Sequence, residues 1–336
     1  MNLATRYLGL NLSNPLVASA SPMSKTVDGV RRLADAGVCA VVLYSLFEEQ
    51  LRYEAAQQTR RTSAGSQGFS ESLTYFPEAA AADHGPRRYL NLLERAAGAV
   101  SVPVIGSINA GTPGSWAGYA RSMQECGAAA VELNIYTLPG DPHISGSEVE
   151  QRHLDILASV KDTVTVPVAV KLSPFFSATA EMARRLDLAG ANGLVLFNRF
   201  LQPDIDVETL AVSPGTSLSR AAESRLPLTW MTLLHGRIRA SLAATTGVEG
   251  STEVVKYLLA GADVVMTASA LLRHGPDYAR VLLDGLEEWM TRKGYDEIHE
   301  FRGLLAVPIG TDEAAQERQD YVSALRRANR AAYGPW

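Results

Sequence analysis

The sequence predicts an α/β fold: a (β/α)8 TIM barrel with loop insertions on its C-terminal face and a C-terminal helical extension. Three observations carry this. First, a small residue and a glycine repeatedly precede an apolar run. Ala36-Gly37 leads into Val38–Leu43, Cys126-Gly127 into Ala128–Leu133, Ala189-Gly190 into Leu194–Phe197, and Ala260-Gly261 into Val264–Met266. The glycine reads as a helix C-terminal cap and the run as a strand buried on both faces. Second, Val102-Pro103-Val104 and Val166-Pro167-Val168 open two further runs with a proline, which a first strand position tolerates. Third, these runs, with Pro15–Ser19 and Arg239–Thr245, make eight strands separated mostly by helical patterns, the alternation of a parallel barrel.

In chain order the strands fall at 16–20, 39–44, 103–108, 129–135, 167–172, 193–198, 239–244 and 263–267. Helical patterns occupy 26–36, 86–99, 115–125, 147–162, 177–189 and 251–260. An open doubly wound sheet is the rival arrangement, but no GxGxxG follows the first strand. A barrel needs about 250 residues, and the chain has 336. The surplus lies at 45–85 after the second strand, at 199–235 after the sixth, and beyond about 290. This divides the chain into a barrel, 1–295, and an extension, 296–336. The extension is a charged helix over Asp312–Ala332 with Tyr321, Val322 and Leu325 on one side, expected to pack on the barrel or on a second subunit.

A net charge of −5 provides no electrostatic footprint for nucleic acid or an anionic membrane. No apolar run approaches the ~20 residues of a membrane span. The N-terminus lacks the apolar core and cleavage site of a signal peptide, so a cytoplasmic enzyme is expected. The two cysteines, Cys39 and Cys126, are too far apart in sequence for a metal cluster or a CxxC motif. They precede the second and fourth strands, on the face that serves stability, and no metal is expected.

Polar residues at C-terminal strand ends face a barrel's active site. Here they are Ser19 and Ser21, Tyr44 and Ser45, Ser107 and Asn109, Asn134, Lys171 and Ser173, Asn198 and Arg199, Thr245 and Thr246, then Thr267 and Ser269. Lys171 is the most informative. It ends the apolar run Val166–Leu172, and a charge there costs free energy unless an anion meets it; the bland alternative is a stem that snorkels to water. Asparagine offers a donor and an acceptor together, which suits the edge of a flat heterocycle. The segments Ala244–Thr252 and Met266–Leu271 each open a helix after the seventh and eighth strands, where barrels often hold phosphate on backbone N–H groups. Gly247 permits close approach there, and Ser269 adds a hydroxyl. Phosphate, a lysine and amide side chains together fit flavin mononucleotide (FMN).

The runs Asn14-Pro-Leu-Val-Ala-Ser19, Val131-Glu-Leu-Asn134, Val168-Ala-Val-Lys-Leu-Ser-Pro174 and Thr246–Ser269 resemble the dihydroorotate dehydrogenases, FMN-dependent (β/α)8 barrels of pyrimidine biosynthesis. The resemblance runs from about residue 3 to 295. Leu196–Asp206 and Ala243–Val248 look like the bacterial dihydroorotate dehydrogenase-like proteins. The resemblance implies that Ala18 and Ser19 line the flavin, that Ser107 and Asn134 face the ring or the substrate, and that Lys171 contacts the pyrimidine edge. It further implies that Asn198 binds flavin or substrate, that Gly247 and the Ala268-Ser269 amides hold the phosphate, and that Thr246 is among the cofactor-binding residues. The substrate-binding pair is Asn134 and Asn198, and related barrels are often dimers, so a homodimer is the expected assembly.

The departures concern the substrate. The family's lysine after the second strand is replaced by Tyr44-Ser45. The loop after the fourth strand reads Asn134-Ile-Tyr-Thr-Leu-Pro-Gly140, which places Thr137 where the family has its base. Ser72-Leu-Thr-Tyr-Phe-Pro77 lacks the family's substrate-loop asparagine, and Ser213-Pro-Gly-Thr-Ser217 replaces a Gly-Gly turn. Tyr136 and His143 are weaker proton carriers. Arg199 could clamp a carboxylate or pair with Asp204 or Asp206, while Glu48-Glu49 and Arg60-Arg61 read as solvated surface. The expected function is therefore an FMN-dependent oxidoreductase with an altered dihydroorotate site, in which Thr137 and Lys171 act. Two alternatives remain: a Schiff-base aldolase-type barrel built on Lys171, and a flavin-binding protein without dihydroorotate turnover.

Overall fold

The computed structural model describes residues 1–47, 86–109, 116–136, 138–199, 203–213 and 217–333. The chain enters as an antiparallel hairpin, β1 (Thr5–Tyr7) and β2 (Leu10–Leu12). Its turn residues Leu8 and Gly9 have φ of +54° and +80°, as a two-residue turn matching the strand twist requires. Next come β3 (Leu16–Ala18), α1 (Val27–Asp35), β4 (Ala40–Val42), β5 (Leu46–Phe47), α2 (Pro86–Ala97), β6 (Val104–Asn109) and α3 (Trp116–Glu125). They are followed by β7 (Ala130–Asn134), α4 (Gly146–Lys161), β8 (Val168–Leu172), α5 (Thr179–Leu188) and β9 (Gly193–Leu196). A second hairpin, β10 (Asp204–Asp206) and β11 (Ala211–Ser213), precedes α6 (Arg225–Leu234) and β12 (Ser241–Ala244). The chain ends with α7 (Ser251–Ala260), β13 (Val264–Thr267), α8 (Ser269–His274), α9 (Tyr278–Lys293) and α10 (Glu313–Tyr333).

Strands β3, β4, β6, β7, β8, β9, β12 and β13 pair in parallel in that order, and β13 pairs back onto β3. The sheet closes on itself as a (β/α)8 barrel, with all eight strands where the sequence predicts them. The short β5 lies beside the upper end of β6.

One expectation needs correction. Residues 199–235 do not form one loop: 225–234 are α6, the barrel's sixth helix, burying Pro227, Met231 and Leu234. Pro227 sits in its first turn, where no backbone N–H is needed, so the proline that reads as loop punctuation is compatible with helix. The helix α9 packs against α7. Residues 303–307 stay on the barrel through Gly303 N–H to Leu258 O, Leu305 N–H to Leu259 O and Val307 N–H to Thr232 O, each 2.9 Å. In the single chain Tyr321, Val322 and Leu325 of α10 are exposed.

The core has two parts. The larger lies between strands and helices; the smaller fills the barrel with Val17, Val42, Ile105, Ala130, Ala169, Val195, Ala243 and Met266. Tyr7, Leu8 and Leu12 join the inner cluster, so the first hairpin plugs the N-terminal mouth. Leu8 N–H bonds Ser241 Oγ, and Thr5 Oγ1 bonds Asp263 O. Gly193 makes room, because a Cβ there would lie 2.5 Å from Leu8 Cδ2. The Tyr7 hydroxyl is fully buried without a hydrogen-bond partner among the described residues. Burying a hydroxyl unpaired costs about 1–3 kcal/mol, so Tyr7→Phe is expected to stabilise the protein by about 1 kcal/mol, seen as a higher urea midpoint.

Candidate active site

Side chains alternate along a strand, and on the inward positions they change from apolar to polar toward the C-terminal ends. Ile105 is followed by Ser107 and Asn109 on β6, Ala130 by Glu132 and Asn134 on β7, and Ala169 by Lys171 on β8, with Ser173 just beyond its end. From this polar layer Lys171 reaches a cavity of about 160 Å³. Lys171, Asn198, Ser219, Thr246 and Ser269 are among the residues that line it.

Lys171 meets an anion inside the protein. Its Nζ lies 3.8 Å from Glu132 Oε1, with the Glu132 side chain 1% exposed and that of Lys171 9%. At that separation the contact is an ion pair rather than a hydrogen bond. Neither Glu132 oxygen has a hydrogen-bond partner among the described residues. Burial raises the Glu132 carboxyl above the ordinary carboxylate range, and the Lys171 ammonium opposes the rise without cancelling it.

A hydrogen-bonded chain runs beside the pair. Asn198 Nδ2 donates to Asn134 Oδ1 at 2.7 Å, Asn134 Nδ2 reaches Ser45 Oγ at 3.5 Å, and Ser45 Oγ lies 2.8 Å from Ser107 Oγ. Tyr89 Oη, from α2, accepts from Ser107 N–H at 2.8 Å. Ser45 thus joins this hydrogen-bonded chain. Ser107 and Asn134 stand one step behind the cavity lining, while Asn198 reaches it.

At the other end, the chain turns sharply after β12. Thr246 and Gly247 have φ of +79° and +75°, a strained value for the β-branched Thr246. Tyr257 Oη holds the turn by donating to Thr246 O at 2.6 Å. Gly247 N–H donates to Ser219 Oγ at 3.2 Å, and Ser219 Oγ donates to Ser269 Oγ at 2.9 Å. The freedom of Gly247 admits the 219–224 segment: a Cβ there would lie 2.5 Å from Ser224 N. Ser219 therefore lines the cavity, with Gly247 behind it. The first turn of α8, at Ala268 and Ser269, opens into the same space, and first-turn N–H groups have no partner within their helix.

Of the remaining predicted residues, Ser19 lines the cavity and Ala18 is buried in the strand below it. Thr137 lies outside the described residues, as do Ser72–Pro77, Glu48-Glu49 and Arg60-Arg61. Arg199 pairs with Glu223 at 3.0 Å and donates to Ser217 O, not with Asp204 or Asp206, so it ties down the loop before α6. His143 is exposed, its N–H bonded to Asp141. Burial pushes the Cys39 thiol up to about 12, so it is inert at neutral pH.

Glu132, Ser219 and Tyr89 carry no site role in the sequence reading. Glu132 is within reach of it, since a period of two places it on the same face as Asn134. Ser219 and Tyr89 arrive from elements distant in sequence.

The family model described as dihydroorotate dehydrogenase matches residues 2–290. The chain belongs to the dihydroorotate dehydrogenase family. A relative named putative dihydroorotate dehydrogenase A (fumarate), from Aeropyrum pernix, is 29% identical over 66% of this chain and 74% of its own length. The catalytic subunit named dihydroorotate dehydrogenase B (NAD(+)) from Methanothermobacter thermautotrophicus is 25% identical over 90% of this chain and 98% of its own. The protein of the same name from Methanosarcina acetivorans is 26% identical over 88% and 94%. Family membership places this chain among oxidoreductases. No helix among the described residues is long and apolar enough to cross a membrane, and no group of metal-ligating side chains occurs among them.

The raised carboxyl of Glu132 has a pH consequence. In the unfolded chain the group titrates near about 4.3. A raised folded value means its contribution is fully present below that pH and is lost as pH rises through the folded value. The stability of wild type minus that of Glu132→Gln is therefore expected to fall as pH rises from 4 to 8, measured from urea midpoints.

Proposed function

We propose that this protein is an FMN-dependent oxidoreductase whose substrate site departs from one shaped for dihydroorotate. One observation carries the reading: a single ammonium, Lys171, opens into a cavity whose other wall is the turn of Ser219, Ser269 and the first residues of α8. The donor set fits the cofactor. Hydroxyl and amide groups of Ser19, Asn198, Thr245 and Thr246 share the lining with a cation and a helix start. That set suits a ligand with a flat polar part and a phosphate.

Bound FMN would supply hydride acceptance. The chain's own part is electrostatic and positional. Lys171 favours negative charge at the pyrimidine edge in a water-poor site, Asn198 orients what lies above it, and Asn134 holds Asn198 through their 2.7 Å bond. Ala268 and Ser269 receive the phosphate, with Ser219 fixing the Ser269 hydroxyl. Thr137 is the proposed proton acceptor from substrate. The loss of a cation at Tyr44-Ser45, where Ser45 is engaged with Ser107, favours a substrate other than dihydroorotate.

The test is direct. Purified protein is expected to be yellow and to release FMN on denaturation, and flavin-free protein to regain the colour on adding FMN. Protein that stays colourless with added FMN overturns the proposal. Orotate is expected to perturb the flavin spectrum only weakly, and dihydroorotate to reduce it slowly. Rapid reduction would restore dihydroorotate as the substrate.

A further inference from the structure

We propose that Glu132 is a positioning residue for Lys171: its carboxylate anchors the ammonium on the barrel axis and takes a share of its charge, setting how strongly the cavity favours an anionic ligand. This rests on the FMN reading only for the choice of probe.

The placement comes from strand register. Asn134 is opposite Lys171 and Glu132 is opposite Ala169 on the neighbouring strand, so Glu132 lies one inward layer below the ammonium. A carboxylate kept for structure is ordinarily surrounded by donors. Glu132 has none: Lys171 at 3.8 Å is its one ion-pair partner among the described residues, and both oxygens lack hydrogen bonds. Nor does such a pair serve stability well. Replacing a buried ion pair by apolar groups is often neutral or stabilising, while removing one partner alone costs about 3–5 kcal/mol. In the layer below, the inner cluster is apolar, so a Leu or Met at 132 would fill the space at lower cost. What only a carboxylate supplies there is a counter-charge that stops the ammonium moving toward solvent and tempers its field.

The groups that face Glu132 agree. Lys171 reaches it from β8. Tyr7 and Tyr89 act on it from the hairpin plug and α2, and Asp263 acts on Tyr7 from the start of β13. Of these, only Lys171 is cationic, so the share of charge taken by Glu132 comes from Lys171 alone.

The experiment compares wild type with the isosteric Glu132→Gln. Its readout is the ratio of the FMN dissociation constants for oxidised and reduced flavin, obtained from the midpoint potential of the bound cofactor. Without the carboxylate the ammonium acts undivided on the reduced, anionic form. The ratio is expected to rise about tenfold in the variant, and the gap to narrow as pH is lowered and the wild-type carboxyl takes up a proton. An equal ratio in both proteins across the pH range overturns the proposal. If Glu132→Gln does not fold, Glu132→Asp, which withdraws the carboxyl by one methylene, is read the same way, with a smaller rise expected and no rise overturning it. A flavin-free arm separates this idea from the cofactor assignment. The rate of Lys171 acylation, tracked by peptide mass spectrometry, is expected to increase several-fold in Glu132→Gln, because the amine has lost its counter-charge. An unchanged rate overturns the proposal even if the protein binds no FMN; an increased rate without FMN binding upholds it and removes the cofactor reading alone.

Discussion

Replacing Lys171 with methionine is expected to leave the barrel folded and to lower the rate of flavin reduction by substrate about 10²–10³-fold. That is the range for removing one preorganised electrostatic contact from a developing charge. The methionine keeps the stem's apolar packing inside β8 and removes only the charge. Glu132 then loses its partner, but its raised carboxyl can protonate, so the loss of stability should fall short of the ~3–5 kcal/mol of a stranded buried charge. The pair of measurements is circular dichroism for the fold and stopped-flow absorbance for the rate. The double substitution Lys171→Met with Glu132→Gln should recover stability but not rate. A variant that reduces flavin at the wild-type rate would remove Lys171 from the chemistry.

Gly247→Ala is the second large effect, and it acts through backbone. The position has φ +75°, and the added Cβ would meet Ser224 N at 2.5 Å and Arg220 O at 3.0 Å. Neither is the end of a flexible side chain, so the 219–224 segment must move. Ser219 leaves with it, taking its two bonds to Ser269. The strain of an alanine at positive φ adds to the clash, and a destabilisation of about 2–3 kcal/mol is expected from such a combined effect. FMN affinity should fall more than tenfold while the far-ultraviolet spectrum stays unchanged, checked by fluorescence titration. An alanine variant with wild-type affinity would show that Ser219 does not hold the phosphate wall.

The two variants differ in how far the sequence alone leads to them. Lys171 stands out at once, because a charge at the end of Val166–Leu172 conflicts with its surroundings, and such local conflicts mark functional positions. Gly247 also stands out, as a place for close approach. What its sequence position does not show is that the folded chain brings Ser224 and Arg220 against it. The helix at 225–234 is hidden for a comparable reason: a proline in a first turn and a proline in a loop look alike until the helix axis is known. Thr137 remains a reading of the family's loop pattern alone.

What the sequence determined by itself is the barrel and the polar layer at its C-terminal strand ends. Both are periodic properties. Glycine caps precede four of the apolar runs and prolines open two more, and the two-residue alternation along β7 and from β8 onward already aligns Glu132 with Asn134 and Lys171 with Ser173. What only the tertiary structure decided is who meets whom across that layer. The 3.8 Å pairing of Lys171 with Glu132, the Asn198–Asn134–Ser45–Ser107 chain and the seat of Ser219 on Ser269 join residues tens of positions apart. Those meetings depend on barrel closure and strand register, which arise from the simultaneous packing of all eight strands rather than from any one segment.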